Sequence, residues 1–92
     1  MNLRWTKRAA ADLVEICDFT ESRFGLAQAS RAAIVICSAA EFLKERPLLG
    51  RTGRKYGTRE LGIAGFPFLI IYRDRKECVE LVRILHGAQQ WP

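Results

Sequence analysis

Three groups of residues in this 92-residue chain have side chains suited to chemistry. The first is His86, the lone histidine, at the end of an apolar stretch in a chain that closes as ILHGAQQWP. An imidazole with an ordinary pKa of about 6.5 can give or take a proton near neutrality. It can equally be a structural residue where a strand runs out, hydrogen-bonded to a neighbour. The second group is a run of cations, Arg46, Arg51, Arg54, Lys55 and Arg59, uninterrupted by an acid until Glu60. Such a cluster draws in something anionic, either nucleic acid or an acidic protein, unless it is merely a solvated loop. The third group is Cys17, Cys37 and Cys78, widely spaced and odd in number. There is no C-x-x-C pair, and one histidine does not complete a zinc site of the usual spacing, so no metal is expected. The thiols read as small buried hydrophobes of a reducing compartment, with a reactive cysteine as the alternative.

Length and charge bound what these residues can belong to. Ninety-two residues form one domain, 1–92, that buries roughly 60–65% of its unfolded surface around one core. With 49% hydrophobic residues a packed core is expected. No uninterrupted apolar run approaches the ~20 residues of a membrane helix. The opening MNLRWTKRAA lacks the apolar core and cleavage site of a signal peptide. A cytoplasmic protein with no membrane role is the expectation. The net charge of +5 is unevenly held: residues 1–45 carry six basic and six acidic side chains, residues 46–92 nine basic and four acidic. The second half holds the whole surplus.

The elements that must position these residues emerge from periodicity. In NLRW, Leu3 and Trp5 alternate with Asn2 and Arg4, which predicts a short strand, and Thr6 is a suitable N-cap for a helix starting at residue 7. Over residues 7–24, Ala9, Leu13, Ile16, Cys17, Thr20 and Phe24 recur at three- and four-residue steps, while Asp12, Glu15, Asp18 and Glu21 mostly take the other faces. Gly25 stops that helix. Residues 27–45 predict a second helix whose stripe, Ala29, Ala32, Ala33, Ile36, Ala40 and Leu43, allows close antiparallel packing on the first. Arg46-Pro47 ends it, and Leu48 and Leu49 are expected to tuck under the sheet. From residue 58 the period becomes two. TRELGI predicts a strand with Arg59, Leu61 and Ile63 on one side and Thr58 and Glu60 on the other. FPFLIIYR, apolar throughout, predicts a central strand buried on both faces, and CVELVRILH, after the turn DRKE, is its hairpin partner. The fold class is α+β, ordered β-α-α-β-β-β, with a helical hairpin on one face of a small, mainly antiparallel sheet.

LRWTKRAAADLVEI, ERPLLGRTGRKYGTREL, FPFLIIYR and VRILHGAQQW, in that order and spacing, resemble the RelE/ParE superfamily of bacterial toxins, the poison subunits of type II toxin–antitoxin systems. The resemblance covers nearly the whole chain. It implies two activities on one scaffold. RelE-like members enter the ribosome and cut mRNA; ParE-like members are associated with poisoning DNA gyrase and perform no known chemistry. Fold does not choose between these, so the site residues must.

RNA cleavage through a 2′-hydroxyl needs an activating group, a cation for the crowded phosphate and an acid for the leaving oxygen. RelE-like nucleases carry an arginine at the second position of a YRIIY-like pattern. The matching run here is Phe68-Leu69-Ile70-Ile71-Tyr72, with Leu69 in the arginine's place. Gly87 and Ala88 stand where those nucleases tend to carry basic residues, and Trp91 stands in place of a late tyrosine. His86 matches a position where many members keep histidine. If the protein is a nuclease, His86, Arg59 and Lys55 are the residues to carry it. The missing cation favours the ParE-like reading instead, a toxin that acts by binding.

The resemblance also implies an acidic antitoxin encoded alongside, ParD-like, with a DNA-binding N-terminal part and a C-terminal segment that wraps the toxin in a hetero-oligomeric complex. Arg59, Arg73 and Arg83 are candidates to meet its carboxylates; an arginine mid-strand at position 83 must face solvent or a partner, because burying it unpaired is costly. Arg51, Arg54, Lys55 and Trp91 are candidates to meet the target, with Trp91 either an exposed anchor or packed back on the helical hairpin. No metal or organic cofactor is implied. A degenerate, non-toxic antitoxin-binding module is the third reading, beside the gyrase poison and the ribosome-dependent endoribonuclease.

Overall fold

A computed structural model of the chain describes residues 1–87 and 89–92. The element order is β1 (Asn2–Trp5), α1 (Lys7–Phe24), α2 (Leu26–Glu45), β2 (Arg51–Thr52), β3 (Arg59–Gly62), β4 (Phe68–Asp74) and β5 (Cys78–His86). The strands form one sheet in the order β1-β5-β4-β3-β2, parallel only between β1 and β5. The two-residue β2 inside the basic loop has no periodic signal of its own, so the sequence pattern does not announce it.

Thr6 starts α1 as expected. Its hydroxyl accepts from Ala9 N at 3.1 Å and donates to Val82 O at 3.2 Å, so one side chain caps the helix and ties it to β5. Gly25 is the whole turn between the helices. Its φ of 93° is open to glycine at little cost, and its N–H closes α1 on Glu21 O at 2.9 Å. The small stripe of α2 is buried at Ala29, Ala32, Ile36, Ala40 and Leu43, with Ala33 only partly so. This stripe and Ala9 and Ile16 of α1 pack against Phe68, Ile70, Tyr72, Val79, Leu81 and Ile84 of the sheet. β4 is the central strand, and Ile70, Ile71 and Tyr72 are consecutively buried, as a strand covered on both faces requires.

Several expectations are corrected. Phe24, the last residue of α1, is 70% exposed rather than part of the buried face. Leu48 and Leu49 are exposed rather than tucked under the sheet, since the segment is pinned by its backbone: the Tyr72 hydroxyl donates to Pro47 O at 2.7 Å and accepts from Gly50 N at 2.9 Å. Cys37 is exposed and Cys17 and Cys78 half-buried, so the thiols are not core residues. Although no unbroken apolar run is long, α2 as a whole has the length and mean hydropathy, 1.3, of a membrane span. Its buried stripe packs on α1 and the sheet.

The largest correction is Asp12. It is 3% exposed, not on a solvent face. β1 pairs with β5 only as far as Leu81, which leaves the next edge groups of β5 without a strand neighbour. Asp12 Oδ2 accepts from Ile84 N at 2.9 Å and from Arg83 Nε at 2.8 Å, and Oδ1 accepts from Arg83 Nη2 at 3.2 Å. Arg8, one turn back, approaches Oδ1 at 3.4 Å. A β-bulge between the pairs Ile71–Arg83 and Tyr72–Leu81 leaves Val82 as the extra residue next to this bridge.

Removing that carboxylate strands both an arginine and a strand N–H. Asp12→Ala is expected to cost roughly 3 kcal/mol in urea unfolding. In an Arg83→Met background the same change should cost less by about 1 kcal/mol or more, the mark of a coupled pair in a double-mutant cycle. Equal costs in both backgrounds would deny the bridge.

Candidate interaction surface

His86 closes β5 opposite Phe68. Its ring lies between two phenyl rings, 5.4 Å from Phe19 and 5.7 Å from Phe68 by centroids. Its backbone N–H donates to Gln89 Oε1 at 2.7 Å. The adjoining hollow is small and mostly apolar, lined by Thr20, Phe24, Ala32 and Phe66 among others. These surroundings fit the structural role considered for this histidine.

Arg59 begins β3 opposite Tyr72, four residues along β4 from Phe68. With about 3.4 Å per residue and about 4.8 Å per strand, the backbones at Arg59 and His86 are roughly 17 Å apart. Arg59 Nη1 donates to Gly50 O at 2.9 Å, bracing the chain before β2. Lys55 lies farther out, in the loop between β2 and β3, with its ammonium 6.0 Å from the centroid of the Trp91 ring. The fold therefore does not gather His86, Arg59 and Lys55 around one reacting atom. Leu69 pairs with Gly62 and Leu85, on the sheet side away from Phe68 and Ile70, and presents no charge there. Gly87 N donates to Pro67 O at 2.8 Å, while Ala88 lies outside the described residues.

The cationic loop is not a bare run of charge. Glu60, 2% exposed, accepts from Arg51 Nη2 at 2.9 Å, from Arg54 Nε at 3.2 Å and Nη2 at 3.3 Å, and from Arg54 N at 3.0 Å. Burial pushes this carboxyl up, but the Arg54 N–H, the Arg54 guanidinium and Arg51 outweigh it and hold the group below its ordinary value. Glu80, 8% exposed, repeats the arrangement between Arg4 and Arg75, the latter at 3.0 Å. The bond from Arg4 leads in lowering its pKa, with burial opposing it and Arg75 assisting.

Between β2 and β3, residues 53–58 form a tight tip. Gly53 N donates to Thr58 O at 2.8 Å, and both the N–H and hydroxyl of Thr58 donate to Lys55 O, at 3.1 and 2.6 Å. A Cβ on Gly53 would collide with the Thr58 hydroxyl, so the close approach needs glycine. The Arg73 guanidinium lies over Gly57. Tyr56 stands out from this tip, 99% exposed. Tyr56 carries little signal in the sequence beyond being an aromatic residue among cations between Gly53 and Gly57. Trp91 neither hangs free nor joins the described apolar core: it is half-buried beside Lys55, its indole nitrogen enclosed. Among the described residues, no group of three or more His, Cys, Asp or Glu is placed to hold a metal ion.

Residues 3–91 match the family model of the ParE toxin of type II toxin–antitoxin systems, parDE. The chain belongs to the ParE toxin family. This ParE-family chain is 41% identical over 90 residues to the putative toxin Y4kP of Sinorhizobium fredii, spanning 98% of this chain and 92% of that one. It is 38% identical to toxin RelE2 of Caulobacter vibrioides over 92% of this chain and 93% of that protein. To toxin ParE1 of the same organism it is 30% identical over 92% and 88%. A solved chain of the chromosomal ParDE system of P. aeruginosa superposes with a TM-score of 0.86 at 29% identity, covering 95% of this chain and 96% of that one. The protein is a toxin of the RelE/ParE superfamily, of ParDE type, and that membership implies an antitoxin partner.

The lowered pKa values of Glu60 and Glu80 set a pH response. Each carboxylate is held below its unfolded value, about 4.3, so its stabilisation is complete above that pH and is lost as pH falls through the lower folded value. The urea midpoint is expected to drop as pH falls below about 5, and Glu60→Gln should flatten that drop while lowering the midpoint at pH 7. A Glu60→Gln profile parallel to the wild type would assign the acid sensitivity elsewhere.

Proposed function

We propose that this ParE-family toxin acts by binding rather than by cutting RNA, that its target is DNA gyrase, and that a ParD-like antitoxin neutralises it in the cytoplasm. The observation that carries the reading is the dispersal of the nuclease candidates. His86 is packed between Phe19 and Phe68, Arg59 braces Gly50 at the other end of the sheet, and Lys55 sits beside Trp91. Leu69 stands where phosphate charge would need a cation. A general acid with no phosphate clamp beside it recovers little rate.

Binding needs only presented surface. The target face is assigned to the β2–β3 tip with Lys55 and Trp91, where Arg51 and Arg54 set its shape through Glu60. The antitoxin face is assigned to Arg73 and Arg59, whose charges no carboxylate bridges among the described residues. Arg83 contributes less, its charge being answered by Asp12. An acidic segment that folds on binding would be steered by the surplus of the second half of the chain.

Induced expression without the antitoxin tests the choice. The expected result is growth arrest with a DNA-damage response that gyrase variants relieve, and intact transcripts. Cleavage of mRNA in a translating extract, abolished by His86→Ala, would overturn it in favour of the endoribonuclease.

A further inference from the structure

We infer that Tyr56 is the principal target contact of this toxin: a rigid aromatic plug that enters an acid-rimmed pocket on the target protein. The inference rests on the proposed binding mode and names the residue that executes it.

The first observation is exposure without slack. A phenol ring 99% exposed on a loose loop would lose conformational freedom on docking. Here the loop is already fixed. Thr58 closes it twice on Lys55 O, Gly53 closes it on Thr58 O, and the buried Glu60 holds it from beneath through the Arg54 N–H and the Arg51 and Arg54 guanidinium groups. A β-hairpin tip with this much internal bonding presents its apex in one shape, which lowers the ordering cost of binding.

The second observation is the charge around the ring. Arg51, Arg54 and Lys55 flank the ring, against Glu60, leaving a net of +2. Tyrosine ringed by arginine is the composition that dominates binding energy at protein interfaces, and the positive rim calls for acids on the partner. A strand of nucleic acid fits less well. Sequence-tolerant binding of single strands uses several aromatic platforms along a groove, whereas Tyr56 is the one fully exposed ring on this tip among the described residues.

The third observation is independence from the fold. Among the described residues Tyr56 has no side-chain partner and contributes nothing to the core, so its removal should leave the protein folded.

Purified wild type, Tyr56→Ala and Tyr56→Phe are compared for gyrase inhibition and for growth arrest on induction. Thermal unfolding and antitoxin affinity serve as controls, and a fluorescent single-stranded oligonucleotide as a probe of the alternative ligand. Tyr56→Ala should weaken inhibition roughly 30-fold, with unfolding temperature and antitoxin affinity unchanged. Tyr56→Phe should stay within about threefold of wild type, because the ring supplies most of the contact. Lys55→Glu should weaken the effect further and remove its salt dependence. If Tyr56→Ala halts growth as wild type does, loses antitoxin affinity instead, or abolishes oligonucleotide binding, the plug is overturned. A wild-type protein that cuts transcripts and spares gyrase overturns the proposed function itself; one that spares both overturns the gyrase target alone, and the plug is then judged on growth arrest.

Discussion

Three buried carboxylates, each held between two arginines, organise this small fold. Asp12 sits between Arg8 and Arg83, Glu60 between Arg51 and Arg54, and Glu80 between Arg4 and Arg75. A lone buried carboxylate would be costly, and two cations, joined by a backbone N–H at Asp12 and at Glu60, offset that cost. Each cluster adds a polar junction at the margin of the core: α1 to the open edge of β5, the β2–β3 tip to the sheet, and β1 to β5 at its other end. A domain of this length has one core and no spare layer, so its periphery depends on such polar junctions.

The same clusters change the meaning of the basic charge. Six of the arginines serve inside the molecule, and each cluster leaves one unit of positive charge directed outward. The protein is thus basic enough to steer an acidic partner over distance, while the shape of its surface is set by internal pairing. In the β2–β3 tip, the cations that look available in the sequence hold the loop, and the residue they expose is an aromatic one.

His86 illustrates how one scaffold carries unrelated activities. Its place at the end of β5 is fixed by strand pairing with Phe68, whatever the protein does. What varies is the company its ring keeps, here Phe19 and Phe68. Side chains that do not contribute to the core can therefore be exchanged to move the scaffold between cutting and binding.

The helices, the central strand and its hairpin partner were legible in the sequence, because apolar periodicity and the punctuation of Thr6, Gly25 and Pro47 are local. So was the family, which order and spacing along the chain define. The partners of charged side chains were not legible. Asp12 meets Arg83 across 71 positions and Arg4 meets Glu80 across 76, and nothing local marks either pair. The strand β2 was silent because two residues have no period. Tyr56 looked like any loop residue until the hairpin around it closed. Sequence determined which segments fold and what class of protein they build, since those depend on neighbours along the chain. Tertiary structure alone decided which charges are consumed inside and which groups stay exposed, because that depends on distances through space.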